Sequence, residues 1–120
     1  MSKFVIRTVP TGVKFDLKAA NGQTIATSEV YDSIGACKKG IQSVRKNAAT
    51  TKIENQTQPE FKPLTNPKYV IFPDKAGQIR FHLTARNGQT IAISEGYSTL
   101  AACENGVASV QKNAPEAEIE

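Results

Sequence analysis

One motif is written twice in this chain, and the repetition limits the fold to a doubled unit. The run FDLKAANGQTIATSEVY from Phe15 to Tyr31 returns as FHLTARNGQTIAISEGY from Phe81 to Tyr97. The match continues through Ala36, Cys37, Gly40, Ser43, Val44, Lys46, Asn47 and Ala48, echoed by Ala102, Cys103, Gly106, Ser109, Val110, Lys112, Asn113 and Ala114. A repeat of this kind specifies a scaffold and names no substrate.

Each copy switches its hydrophobic period once. Phe15, Leu17 and Ala19 alternate with Lys14, Asp16 and Lys18, as Phe81, Leu83 and Ala85 alternate with Arg80, His82 and Thr84. Period two means strands with one dry and one wet face. A short β-rich run precedes each strand, Lys3 to Arg7 and Lys68 to Phe72, joined to it by turns at Pro10 to Gly12 and Pro73 to Gly77. The Asn21-Gly22 and Asn87-Gly88 pairs predict type I′ hairpin turns into a third strand.

After Tyr31 the spacing becomes helical, through Ile34, Cys37, Ile41 and Val44, echoed by Leu100, Cys103, Val107 and Val110. Asp32 or Ser33, and Ser98 or Thr99, suit the N-caps, and Asn47 and Asn113 suit a left-handed helix exit. Thr51 to Glu54 and Ala117 to Glu120 are candidates for a fourth short strand. Residues 55–67, with Pro59, Pro63 and Pro67, form an extended linker between repeat one (1–54) and repeat two (68–120).

The order of three strands and a helix, with Phe-x-Leu-x-Ala-x-Asn-Gly, Ser-Glu-x-Tyr and Gly-[Ile/Val]-x-Ser-Val-x-Lys-Asn, resembles the YegP-like family, a bacterial domain of unknown function. The resemblance covers nearly the whole chain. It implies an α+β fold in which two tandem βββα(β) repeats build one pseudo-two-fold antiparallel sheet. Two helices would pack on one face, with the C-terminal strands exchanged between repeats. It brings no catalytic residue, cofactor or substrate.

At 120 residues, 39% apolar and 22% charged, the chain suits one domain with a modest core. No apolar run approaches the roughly 18 to 20 residues needed to span a bilayer, and the N-terminus lacks the apolar core of a signal peptide. The expected location is the cytoplasm, and the expected state a monomer that is its own pseudo-dimer.

Chemistry is sparse. His82 is the only histidine, so a multi-histidine metal site cannot form within one chain. Cys37 and Cys103 lie on the apolar stripes of their helices, as small buried hydrophobes do. No catalytic, cofactor or metal residue is assigned, and a non-enzymatic interaction module with a protein partner is the leading expectation. The repeated polar cluster is Glu29, Tyr31, Glu95 and Tyr97.

Charge is the main difference between the copies. Residues 1–55 carry nine Lys/Arg against four Asp/Glu, whereas the chain as a whole has a net charge of +4. A binding surface of Lys18, Lys38, Lys39, Arg45 and Lys46 is therefore expected, and Arg7, Lys14, Arg80 and Arg86 add charge on the strands. Weak, salt-sensitive nucleic-acid binding through the basic first repeat is the alternative expectation.

Overall fold

The computed structural model describes residues 2–120. Three strands, β1 (Lys3–Val9), β2 (Gly12–Lys18) and β3 (Thr24–Thr27), lead into α1 (Ile34–Asn47) and a short strand β4 (Ile53–Asn55). The second copy repeats this as β5 (Lys68–Pro73), β6 (Ile79–Thr84), β7 (Thr90–Ser94), α2 (Leu100–Asn113), a 3₁₀ turn over Ala114–Glu116, and β8 (Glu118–Ile119). All eight strands join one sheet in the order β4-β5-β6-β7-β3-β2-β1-β8.

The copies meet at β3 and β7, where Thr27 pairs with Ile93. These two residues are equivalents, 66 positions apart, so the pseudo-two-fold axis passes between them. Each final strand crosses to the other repeat: β4 pairs with β5, and β8 with β1. Both edge pairings are parallel, so the sheet is mixed, where the sequence reading expected it to be antiparallel throughout. Parallel partners require a long crossover, and residues 56–67 supply it between β4 and β5, while α1 carries the chain from β3 out to β4. Four strand spacings of about 4.8 Å separate β3 from β4, a gap that the roughly 21 Å of a 14-residue helix can bridge.

Side chains from one sheet face, including Phe4, Phe15, Leu17, Tyr69, Phe81 and Leu83, form a single core with Cys37, Ile41 and Val44 of α1 and Cys103, Val107 and Val110 of α2. The opposite face carries a transverse row set by register, Val5, Asp16, Thr27, Ile93, His82, Val70 and Glu54. Part of the 55–67 segment lies over the β4–β5 end of that face. The Leu64 N–H donates to Glu54, Lys68 Nζ donates to the Leu64 carbonyl, and Thr84 Oγ1 donates to Asn66.

Two local expectations need correction. At Asn21-Gly22 and Asn87-Gly88 only the glycines have positive φ (+85° and +87°), and the Gly22 and Gly88 N–H groups donate to the Ala19 and Ala85 carbonyls. The turns thus start a residue earlier than a type I′ pair, as three-residue loops ending in a left-handed glycine. The helices begin at Ser33 and Thr99, whose hydroxyls accept from Ala36 N–H and Ala102 N–H. They do not leave through left-handed asparagines, because Asn47 and Asn113 turn their amides back to the Ser43 and Ser109 carbonyls, each at 2.8 Å.

The glycine and valine differences between copies also fall into place. In repeat one Gly12 leaves room for Val30, since a Cβ at Gly12 would stand 2.8 Å from Val30 Cγ1. In repeat two the sizes are reversed, and a Cβ at Gly96 would stand 2.9 Å from Gln78 Cδ. Each copy keeps one large and one small partner at this contact.

Candidate functional site

Ser-Glu-x-Tyr is a strand-exit device whose side chains part to opposite faces. Ser28 Oγ accepts from Phe15 N–H at 2.9 Å and donates to the Glu29 carbonyl at 2.7 Å. Ser94 does the same with Phe81 N–H and the Glu95 carbonyl. Tyr31 then bridges back to Val13, and Tyr97 to Ile79, through paired backbone hydrogen bonds. The tyrosine rings stack on Phe15 and Phe81 with centroids 6.3 Å apart, and their hydroxyl ends lie against Gly40 and Gly106. Burial pushes both phenols above their ordinary range, with smaller contributions from a neighbouring cysteine and glutamate.

The glutamates are exposed on the other side of the sheet. There a groove of about 600 Å³ straddles the pseudo-two-fold axis, with Thr27 and Ile93 at its centre, Lys14 and Arg80 to the sides, and Glu29 and Glu95 on its walls. The structure therefore brings Glu29 and Glu95 together but places Tyr31 and Tyr97 on the helix side. Arg80 is held by Asp74 (2.8 Å) and the Ser94 carbonyl (3.2 Å). The Arg80 guanidinium holds the Asp74 carboxyl below its usual range. Glu29, Glu95 and Lys14 make no ion pair among the described residues.

The basic residues of α1 also separate. Arg45 lies 5.7 Å over the Phe4 ring and donates to the Ala117 carbonyl, so it clasps the exchanged C-terminal segment. Its equivalent Gln111 donates to the Thr50 carbonyl at 2.9 Å, making the reciprocal clasp. Lys38 is exposed and falls on the Arg45 flank by helical phase. Lys18 sits on β2 opposite Lys3. Lys39 and Lys46, seven residues apart, share the flank turned to repeat two. There they line a second groove of about 350 Å³ with Gln42, Ser43, Asn47, Ala85, Arg86 and Asn87. Sequence reasoning counted Arg86 among strand charges, whereas it is a central residue of the turn after β6.

His82 is half-buried, edge-on to Phe72 at 5.4 Å, with Nδ1 3.1 Å from Thr90 Oγ1. Burial, then the charge of Lys68, lowers its pKa, an effect that Glu54 partly opposes. Among the described residues no group of three or more His, Cys, Asp or Glu side chains could hold a metal. Both cysteines are free and fully buried. Burial raises both thiols, Cys103 to about 11 with a smaller push from Glu104. A water-soluble disulfide reagent should leave both unmodified in the native protein and titrate two thiols in denaturant. Rapid native modification of either would mean an accessible thiolate.

Residues 12–55 and 74–120 match a family model described as a domain of unknown function, DUF1508. The chain belongs to this DUF1508 family. The two matched segments fall one in each repeat. A UPF0339 protein of Bordetella pertussis is 40% identical over 114 residues, covering 95% of this chain and 89% of the relative. A UPF0339 protein of Pseudomonas aeruginosa is 37% identical over 117 residues, covering 97% and 93%. The YegP protein of Yersinia pestis is 37% identical over 99 residues, covering 82% and 75%. The solution structure of E. coli yegP, described as a protein of unknown function, matches with a TM-score of 0.78 at 33% identity, covering 99% of this chain and 90% of that one. The YegP resemblance read from the sequence therefore holds. DUF1508 carries no assigned activity, and no helix among the described residues is long and apolar enough to cross a membrane.

Proposed function

We propose that this protein is a non-enzymatic interaction module of the bacterial cytoplasm, a monomer whose two repeats act as one folding unit and whose protein partner docks on the helix-free sheet face. The observation that carries this reading is the axial groove. It joins an apolar centre at Ile93 to two exposed carboxylates, Glu29 and Glu95, that are in no ion pair among the described residues. A partner surface with one apolar side chain and flanking basic residues would complement it. Against catalysis stands the state of the groove's serines, since the Ser28 and Ser94 hydroxyls are buried and committed to backbone groups. Neither has a histidine beside it in the groove lining, so no activated nucleophile is assembled there.

Photo-crosslinking in cells tests the proposal. A crosslinker at Ile93 should yield a discrete protein adduct that weakens when Glu29 and Glu95 are both changed to lysine, while one at Glu104 on α2 should not. Adducts from Glu104 alone would place the partner on the wrong face and overturn the reading.

A further inference from the structure

One charge asymmetry between the copies lies in a groove to which both contribute. The groove beside α1 takes Lys39 and Lys46 from the first repeat and Arg86 from the second. At the equivalent positions on α2, Asn105 replaces Lys39, while Lys112 keeps the charge of Lys46. The equivalent of Arg86 is Ala20. Two cations that distinguish the copies, one on each repeat, thus converge on the same side of the molecule. Neither repeat alone supplies all three cations.

None of the three cations is in an ion pair, and no carboxylate lines the groove among the described residues. Lys39 and Lys46 are two helical turns apart, about 10.5 Å along the axis, with Gln42 and Ser43 between them on the same flank. Arg86 faces this row from the turn opposite, beside the Asn87 amide. A row of cations with intervening hydrogen-bonding side chains fits an extended polyanion. The lining contains no aromatic ring, so bases have no stacking platform and contact falls on the backbone.

We infer that Lys39, Lys46 and Arg86 form one inter-repeat site for the phosphodiester backbone of single-stranded nucleic acid, with little sequence preference. The ligand and the face both differ from those of the proposed protein partner, so either assignment can fail without the other. Arg45 and Lys18 are not part of this site, which is a narrower surface than the basic first repeat as a whole.

The test is fluorescence anisotropy with a labelled single-stranded oligonucleotide across salt concentrations, for the full chain and for a K39N/R86A variant. That variant carries the residues found at the equivalent positions of the other copy, Asn105 and Ala20. Three neutralised phosphates give a log–log salt slope of about −2, or roughly 15-fold weaker binding from about 50 to about 200 mM salt; one gives about −0.7, or roughly 3-fold. Wild type should follow the first and the variant the second, with amide shifts in the wild type at Lys39, Lys46 and Arg86. Identical affinity and slope for the two proteins would overturn the inference, as would no binding at low salt. Equal competition by inorganic phosphate would replace the polymer with a small anion, and equal competition by oligoglutamate would replace it with an acidic peptide; both results would also overturn it.

Discussion

Changing Gly106 to alanine should destabilise the protein by on the order of 2 kcal/mol, although alanine is the better helix former by about 1 kcal/mol. The reason is local crowding. A Cβ at this position would stand 2.8 Å from Tyr97 Cζ and 2.9 Å from Phe81 Cε2, and would also strike the Tyr97 hydroxyl. Phe81 is fully buried and Tyr97 is stacked on it, so neither ring can swing away without disturbing the core. Gly40 is the milder case, because its three nearest contacts all belong to Tyr31. Thermal unfolding should show a Tm loss of roughly 8 to 12 °C for G106A, a smaller loss for G40A, and partial recovery in G106A/Y97F, where Phe81 still obstructs. A G106A protein more stable than wild type would show that helix propensity outweighs packing at this contact.

The same contact shows what could be read in advance. That Ala36 and Gly40, or Ala102 and Gly106, allow close approach follows from small residues one turn apart. That the approaching group is a tyrosine from the strand exit does not follow, because Tyr31 and Gly40 are related only through the sheet. Strand alternation, helical stripes and the caps, to within Asp32 or Ser33 and Ser98 or Thr99, depend on neighbouring residues and were legible for that reason. The edge strands were not. Three residues in β4 and two in β8 are too few to show a period, and their direction depends on where a helix releases the chain. Strand exchange was available only from the family resemblance. The functional surfaces suffered most from this, since Arg45 looked free until Phe4 and Ala117 were brought beside it, and Arg86 looked isolated until α1 was laid against its turn. A charge count by repeat cannot detect a groove that takes cations from both repeats.

Glu54 should be the residue on which acid stability turns. It is 4% exposed on exchanged strand β4, 2.6 Å from Lys68 Nζ on β5, and it also accepts from Gln56 Nε2 at 2.7 Å and from Leu64 N–H at 2.8 Å. Burial alone would raise its pKa, but the Lys68, Gln56 and Leu64 hydrogen bonds prevail and hold it at about 2, against an ordinary 4.5. A carboxyl depressed on folding contributes stability that is complete above its unfolded pKa and is lost as pH falls through the folded one. The window is thus about pH 4.5 down to about pH 2, and the contribution is on the order of 3 kcal/mol. Denaturant unfolding at a series of pH values should show this loss in wild type and a flatter profile in Glu54→Gln. At neutral pH the variant should be less stable by a comparable amount, because Lys68 loses its counter-ion in a site where its side chain is 16% exposed. The opposite edge supplies the control. Lys3 and Glu120 repeat the pair at 2.8 Å, but with 41% and 63% exposure they are worth less than about 1 kcal/mol. The two exchanged strands are alike in register and ion pair, yet only β4 has chain from the 55–67 segment folded over its glutamate. If Glu54→Gln kept the full wild-type slope between pH 4.5 and 2, that covering segment would not be what makes the first exchange the stronger of the two.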